Sequence, residues 1–137
     1  MLQNEYNLAA RLAYPSELQQ LCLERGVAML PYYALASGFL SGKYRTADQW
    51  EGTARRAALD KVAEKGGWEV LEAMRQIVQE TGAGLAQIAL AWLNAQPGIA
   101  APIASATSQE QLADLVAGAR LELAPEHLAA VDRAVIA

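Results

Sequence analysis

The chain predicts an α/β fold with parallel strands. Three observations lead there: short continuous apolar runs of strand length, helical apolar periodicity between them, and Gly or Pro at the junctions. The apolar runs show no polar alternation, which is the pattern of strands covered on both faces. Strands that alternate with helices in this way form parallel sheets.

In chain order, Leu2-Gln3-Asn4-Glu5-Tyr6 reads as the end of a strand. Pro15-Ser16-Glu17 opens a helix with Leu18, Leu21, Cys22 and Val27 as its apolar stripe and Gly26 as its stop. Val27-Ala28-Met29-Leu30-Pro31-Tyr32-Tyr33 is a second strand, with Pro31 confined to its end because proline donates no ladder bond. Residues 34–66 read mostly as loop, with a short helix over 54–64. A helix over 67–81 carries Trp68, Leu71, Met74 and Val78 on one face. Another over 85–95 repeats the period with Leu85, Ile88, Ala89, Trp92 and Leu93. Ile99-Ala100-Ala101-Pro102-Ile103-Ala104 predicts a third buried strand. Ser108 then caps a helix, with Gln111 three places on as in a capping box and Leu112, Leu115 and Val116 turned inward. Pro125-Glu126 opens the last helix, continued by Leu128, Val131, Asp132 and Val135. No internal repeat divides the chain, so residues 1–137 form one domain.

Composition narrows the function. The chain has 137 residues, 53% hydrophobic and 19% charged, with a net charge of −4, a core-building and mildly acidic balance. Its eleven Lys and Arg are scattered, which leaves no basic face for nucleic acid. Cys22 is the single cysteine and His127 the single histidine, so an intrachain disulfide and a Cys-based zinc site are excluded and no metal site is expected. No apolar stretch reaches the ~20 residues that span a bilayer, and the N-terminus lacks a signal-peptide pattern. The expectation is a cytoplasmic protein without membrane contact.

Two loops could carry chemistry, each following a predicted strand. In Ala34-Leu35-Ala36-Ser37-Gly38-Phe39-Leu40-Ser41-Gly42-Lys43-Tyr44-Arg45, glycines let backbone N–H groups approach an anion and Lys43 adds positive charge. It is not a P-loop, since Tyr44 stands where Ser or Thr is required. In Ala104-Ser105-Ala106-Thr107-Ser108-Gln109-Glu110-Gln111, a strand runs into a capped helix whose N-terminus suits a phosphate. Alone, the first loop reads equally as an ordinary connection, and the second reads first as an ordinary helix cap. Together they lie at the C-terminal ends of parallel strands, where α/β barrels place their sites.

Residues 32–44 closely resemble the aldo-keto reductase segment after the seventh barrel strand. Residues 102–112 resemble the segment after the eighth, Gln3-Asn4-Glu5-Tyr6-Asn7 the end of the sixth, and Ile88-Ala89-Leu90-Ala91-Trp92-Leu93 the helix between the seventh and eighth. The resemblance implies a partial TIM (β/α)₈ barrel with about three parallel strands and flanking helices. It also implies reduction of aldehydes and ketones, or the reverse oxidation of alcohols, with NADP(H). By position, Gln3 matches the glutamine that holds the nicotinamide carboxamide, and Tyr32 the aromatic that stacks on the nicotinamide ring. Tyr33, Ala34, Leu35 and Ala36 match the loop along the pyrophosphate, Lys43 its cationic partner, and Arg55 a second cation. Ser105, Thr107 and Gln111 match the 2′-phosphate pocket, and Asp114 an acidic residue that meets the adenine. Many members carry Arg or Lys where this chain has Ser105 and Gln111, which keeps NAD(H) as an alternative cofactor. Leu115 stands where an asparagine is common.

The family's catalytic Asp, Tyr, Lys and His lie upstream of the stretch that matches Gln3, so the resemblance assigns no catalytic residue here. His127 is expected as a solvated surface residue, Trp68 and Trp92 as helix core, and Trp50 as core or lid. Tyr6, Tyr14 and Tyr44 have no Lys–Asp pair at a spacing that would make them proton donors. A full barrel needs ~250 residues, which implies either a fragment or a truncated product. The first reading is the cofactor-binding portion of an NADP(H)-dependent reductase of small carbonyl compounds. The alternative is a non-catalytic cofactor-binding or structural half-barrel that needs a partner chain. Val27, Met29, Ile99 and Ile103 are expected on an inner face left bare by the absent strands. Self-association or pairing with the missing N-terminal half follows.

Overall fold

The first strand, β1 (Leu2–Glu5), pairs in parallel with β2 (Met29–Tyr32), Leu2 opposite Met29 and Glu5 opposite Tyr32. The computed structural model describes residues 1–134. Between the strands lies α1 (Ser16–Glu24), which ends at Arg25 before the left-handed Gly26 (φ 61°). After β2 come two 3₁₀ turns, Ala36–Ser41 and Ala47–Trp50, and then α2 (Arg56–Glu64), α3 (Gly67–Thr81), α4 (Leu85–Asn94), α5 (Gln109–Arg120) and α6 (Pro125–Ala134). Val135, expected to continue the last helix, lies outside the described residues.

The third expected strand is not formed. Residues 99–104 run beside β2 in the parallel sense, but the ladder consists of one bridge, Met29 to Ile99. Met29 N–H donates to Gly98 O at 3.0 Å and accepts at its own carbonyl from Ala100 N–H at 2.9 Å. The next bonds of a regular parallel ladder would be donated by Pro31 and by Pro102, and neither has an N–H. The Pro31 carbonyl is taken instead by Ile103 N–H at 2.8 Å, one residue late. The sheet among the described residues is therefore two-stranded, with an extended third segment beside it.

The core lies between the sheet and the helices. Met29 is fully buried, together with Phe39, Leu59, Leu71, Met74, Ile88 and Leu93. Because strand neighbours alternate in direction, Met29 and Pro31 face the helices while Ala28, Leu30 and Tyr32 face the open side. This corrects the expected inner face. Met29 and its parity mates Val27 and Ile99 point to the helix layer, and the open face is a mixed one of Gln3, Glu5, Leu30 and Tyr32. Ile103 alone of the four is exposed (41%).

Residues 34–66 are less loop-like than the glycines suggest. Phe39, Leu40 and Trp50 are buried, Trp50 stacks on Trp68 at 5.9 Å, and its Nε1 donates to Asp60 at 2.7 Å. Trp50 is thus core. Gly67 lets α2 and α3 meet: a Cβ there would sit 2.7 Å from Val62 O and 2.8 Å from Phe39. Three apolar side chains expected inside are outside: Leu21 on α1, and Leu112 and Val116 on α5. On α5 the surface that touches α4 is instead centred on Gly118, where a Cβ would lie 2.8 Å from the Gln87 Cα.

Candidate functional site at the strand ends

The parallel register brings the two candidate loops side by side. β2 and the 99–103 segment run together as far as the Ile103–Pro31 bond, so Tyr32-Tyr33 and Ala104-Ser105 leave the sheet at the same end. Gln3 and Tyr32 share the open face, since Gln3 pairs with Leu30 and Glu5 with Tyr32. Tyr32 is partly exposed, and its ring meets that of Tyr33 edge-on at 5.3 Å and 70°. This aromatic pair stands at the strand end, Tyr33 the more exposed of the two.

The chain turns sharply there. Tyr33 (φ 54°), Ala36 (φ 48°), Ser37 (φ 58°) and Gly38 (φ 91°) all adopt left-handed backbone, which side chains other than glycine resist. The turn uses some of its own donors. Ala36 N–H bonds Tyr33 O at 2.8 Å and Gly38 N–H bonds Leu35 O at 2.9 Å. That modifies the expected backbone cradle, because these two N–H groups are already satisfied. The positive charge comes from side chains. Lys43 folds back over Gly38, its Cε 3.0 Å from where a Cβ would be, with its ammonium 4.6 Å from the Tyr44 ring centroid. Arg55 reaches the same turn, Nη1 to Ser37 O at 3.5 Å. Neither cation has a carboxylate partner among the described residues. Two unpaired cations at one turn attract an anion.

The second loop is built as a cap. Ser108 Oγ accepts from Gln111 N–H at 3.2 Å. The reciprocal half of the capping box is displaced by one residue, since Gln111 Oε1 accepts from Thr107 N–H (2.9 Å) and Thr107 Oγ1 (3.0 Å). Ser105 stays exposed beside them. Asp114 does not point freely into the site: its Oδ1 accepts from Gln87 Nε2 at 2.5 Å, tying α5 to α4.

A groove of about 1030 Å³ lies between residues 9–13 and the α2–α3 pair. Its rim mixes Arg11, Lys61 and Lys65 with Glu5, Glu64 and Glu69, so it has no charge bias toward an anion. The Ser37–Gly38 turn, with Lys43 and Arg55 beside it, does, and is the better candidate for a phosphate-bearing ligand. No group of three or more potential metal ligands occurs among the described residues. No helix there is long and apolar enough to cross a membrane.

Tyr6 and Tyr14 are poor proton donors. Burial raises the Tyr6 phenol, and burial first, with Cys22 close by, pushes Tyr14 up to about 12, its hydroxyl having no hydrogen-bond partner among the described residues. His127 differs from expectation. Its side chain is mostly covered (16% exposed), with Nε2 2.9 Å from Glu80 and Nδ1 buried without a partner, because α6 lies against α3.

Two features went unnoticed in the sequence. Asn7 is a buried polar residue (1% exposed), donating through Nδ2 to Tyr33 O at 3.0 Å and accepting at Oδ1 from Ala9 N–H at 2.9 Å. Arg11 bridges to the end of the described chain. Its Nη1 meets Asp132 at 2.9 Å, Nη2 donates to Val131 O at 3.1 Å, and its guanidinium lies 4.6 Å over Trp92. Asn7 closes the Gln3–Asn7 segment that resembles the end of the sixth strand, but that resemblance gave it no role, and Arg11 lies in no such segment.

The order of elements, a parallel strand pair with helices after it, is that of a (β/α)-barrel type of α/β segment. More particularly, the chain belongs to the aldo/keto reductase family, whose sequence model matches residues 1–136. It is similar to Protein tas of Escherichia coli K12, 30% identical over 96% of this chain and 38% of that protein. It is also similar to the L-glyceraldehyde 3-phosphate reductase of E. coli O157:H7, 28% identical over 96% of this chain and 40% of that one. A probable voltage-gated potassium channel subunit beta of Arabidopsis thaliana is 30% identical over 80% of this chain and 35% of its own length. The chain thus spans about two-fifths or less of the curated relatives named here. In fold it resembles the thermostable aldo-keto reductase Tm1743, solved with the inhibitor epalrestat, with a TM-score of 0.69 over 96% of this chain and 38% of that one at 23% identity. The family is one of oxidoreductases that in general use nicotinamide cofactors.

Proposed function

We propose that this chain is the cofactor-binding portion of an NADP(H)-dependent aldo-keto reductase acting on small carbonyl compounds in the cytoplasm. The observation that carries the reading is the meeting of unpaired Lys43 and Arg55 at the Ser37–Gly38 turn, beside the strand end that presents Tyr32. The donor set fits a dinucleotide: an aromatic face for a flat ring, two cations for a pyrophosphate, and hydroxyls on a helix cap for a further phosphate.

Tyr32 and Gln3 would orient the nicotinamide, which supplies or accepts the hydride when bound. Lys43 and Arg55 would neutralise the pyrophosphate. Ser105 and the free amide end of Gln111 would meet the 2′-phosphate through neutral donors, joined by Thr107 once its hydroxyl turns away from Gln111 Oε1. Neutral donors discriminate less strongly than cations, so NADP(H) over NAD(H) is a modest preference here. Asp114, held by Gln87, would meet the adenine with its remaining oxygen.

Fluorescence titration with NADPH tests this. Lys43→Ala and Arg55→Ala should each raise the dissociation constant about five- to tenfold, equivalent to ~1–1.4 kcal/mol, and less in 0.5 M salt. If neither substitution weakens binding by the parent chain, the assignment of the anion end is wrong. The second reading, a half-barrel that works only with a partner chain, is favoured by one observation: the outer edge of β1 has no strand beside it among the described residues.

A further inference from the structure

We propose that Asn7 is a positioning residue for the Tyr32 platform, acting through the carbonyl of Tyr33. The inference rests on the reading of Tyr32 as the residue that faces the nicotinamide.

Asn7 follows β1 by two residues, next to the point where the β1–β2 pairing ends at Glu5 and Tyr32. There Tyr33 enters left-handed backbone (φ 54°), a conformation a tyrosine does not hold without compensation. Its carbonyl is held from two sides, by Asn7 Nδ2 at 3.0 Å and by Ala36 N–H at 2.8 Å. The Asn7 amide is itself immobile. It is 1% exposed, its Oδ1 is fixed by Ala9 N–H at 2.9 Å, and its neighbours Tyr6 and Leu8 are buried. The Tyr33 ring in turn lies edge-on to Tyr32 at 5.3 Å. One rigid amide therefore sets the Tyr33 peptide, the peptide sets the Tyr33 ring, and that ring limits where Tyr32 can stand. Without the amide, the Tyr33 carbonyl loses one of its two partners and the left-handed turn loses its brace.

A general stabilising role would affect every ligand alike, so two probes separate the cases. NADPH carries the nicotinamide, whereas adenosine 2′,5′-bisphosphate carries only the adenosine end. The parent, Asn7→Ala and Asn7→Asp are titrated with each at pH 8 after their folding has been verified by circular dichroism. Asn7→Asp has nearly the parent's shape and keeps the acceptor for Ala9, but once ionised it cannot donate to Tyr33. It carries the comparison if Asn7→Ala does not fold. Both variants should weaken NADPH about tenfold, which converts to ~1.4 kcal/mol, and leave the bisphosphate within twofold. Equal weakening of both probes, or no weakening of NADPH by Asn7→Asp, overturns the positioning role while leaving the cofactor reading intact. A parent that binds neither probe removes the cofactor reading, and the positioning role goes with it.

Discussion

The Arg11–Trp92–Asp132 cluster ties the segment after β1 to α4 and α6, and its energetics can be worked from the contacts. Asp132 Oδ1 accepts from Arg11 (2.9 Å) and from the Trp92 indole N–H (3.0 Å). Trp92 is 1% exposed, so that N–H has no access to water. Arg11→Ala removes a cation–π contact worth ~1 kcal/mol and a charge-assisted bond to the Val131 carbonyl worth ~1.5 kcal/mol. The ion pair adds only ~0.5 kcal/mol, because Asp132 is half exposed. Against this, the substitution frees a long side chain and removes a buried Nε without a partner, together ~1–2 kcal/mol. The net loss is ~1–2 kcal/mol. Asp132→Ala should cost more, ~2–3 kcal/mol, since it strands both the indole N–H and a guanidinium that is only 22% exposed. Urea unfolding followed by tryptophan fluorescence measures both, with a double mutant giving a coupling of ~1 kcal/mol. The reasoning is refuted if Arg11→Ala costs more than Asp132→Ala, or if both stay within ~0.5 kcal/mol of the parent.

Stability should also fall in strong alkali. The Tyr14 phenol is raised to about 12 in the folded chain, by burial first and the neighbouring Cys22 second, against 10.0 for the ordinary group. Its contribution is fully present below pH ~10 and is lost as pH rises toward ~12, because the unfolded chain ionises first; Tyr14→Phe should flatten that part of the pH–stability curve, and an unchanged slope would count against the assignment. The chain should also self-associate. Leu112 and Val116 are exposed on α5 and the β1 edge is unpaired, so light scattering at micromolar concentration should give a mass above one chain, and a strict monomer with cooperative unfolding would refute this.

The helices were legible because their signals are local. Gly26 and Gly82 stop helices at left-handed positions, Ser108 caps α5 through its own hydroxyl, and the apolar period of residues 85–94 gives α4 directly. The third strand misled because apolar content marks burial, whereas a ladder needs donors. Pro31 and Pro102 remove the N–H groups that a regular continuation requires, so two prolines in facing segments outweigh the hydrophobic run. The inner-face assignment failed for a related reason. A run such as Val27-Ala28-Met29-Leu30 is apolar at both parities, and only the pairing shows that Met29 faces the helices.

The two candidate loops were legible by position at the strand ends but not in their supports. A lysine after a glycine turn can be read from sequence; that the turn already satisfies its own Ala36 and Gly38 N–H groups cannot. The two cations of the turn, Lys43 and Arg55, are twelve residues apart and are brought together because Phe39, Leu40 and Trp50 fold the intervening segment onto the core. The same holds for Asn7. Its partner carbonyl is 26 residues away, so no window of sequence contains the pair. Side chains that touch a ligand repeat recognisable motifs. Those that hold the contact residues in place are chosen by tertiary distance, and here the parallel β1–β2 pairing supplies it.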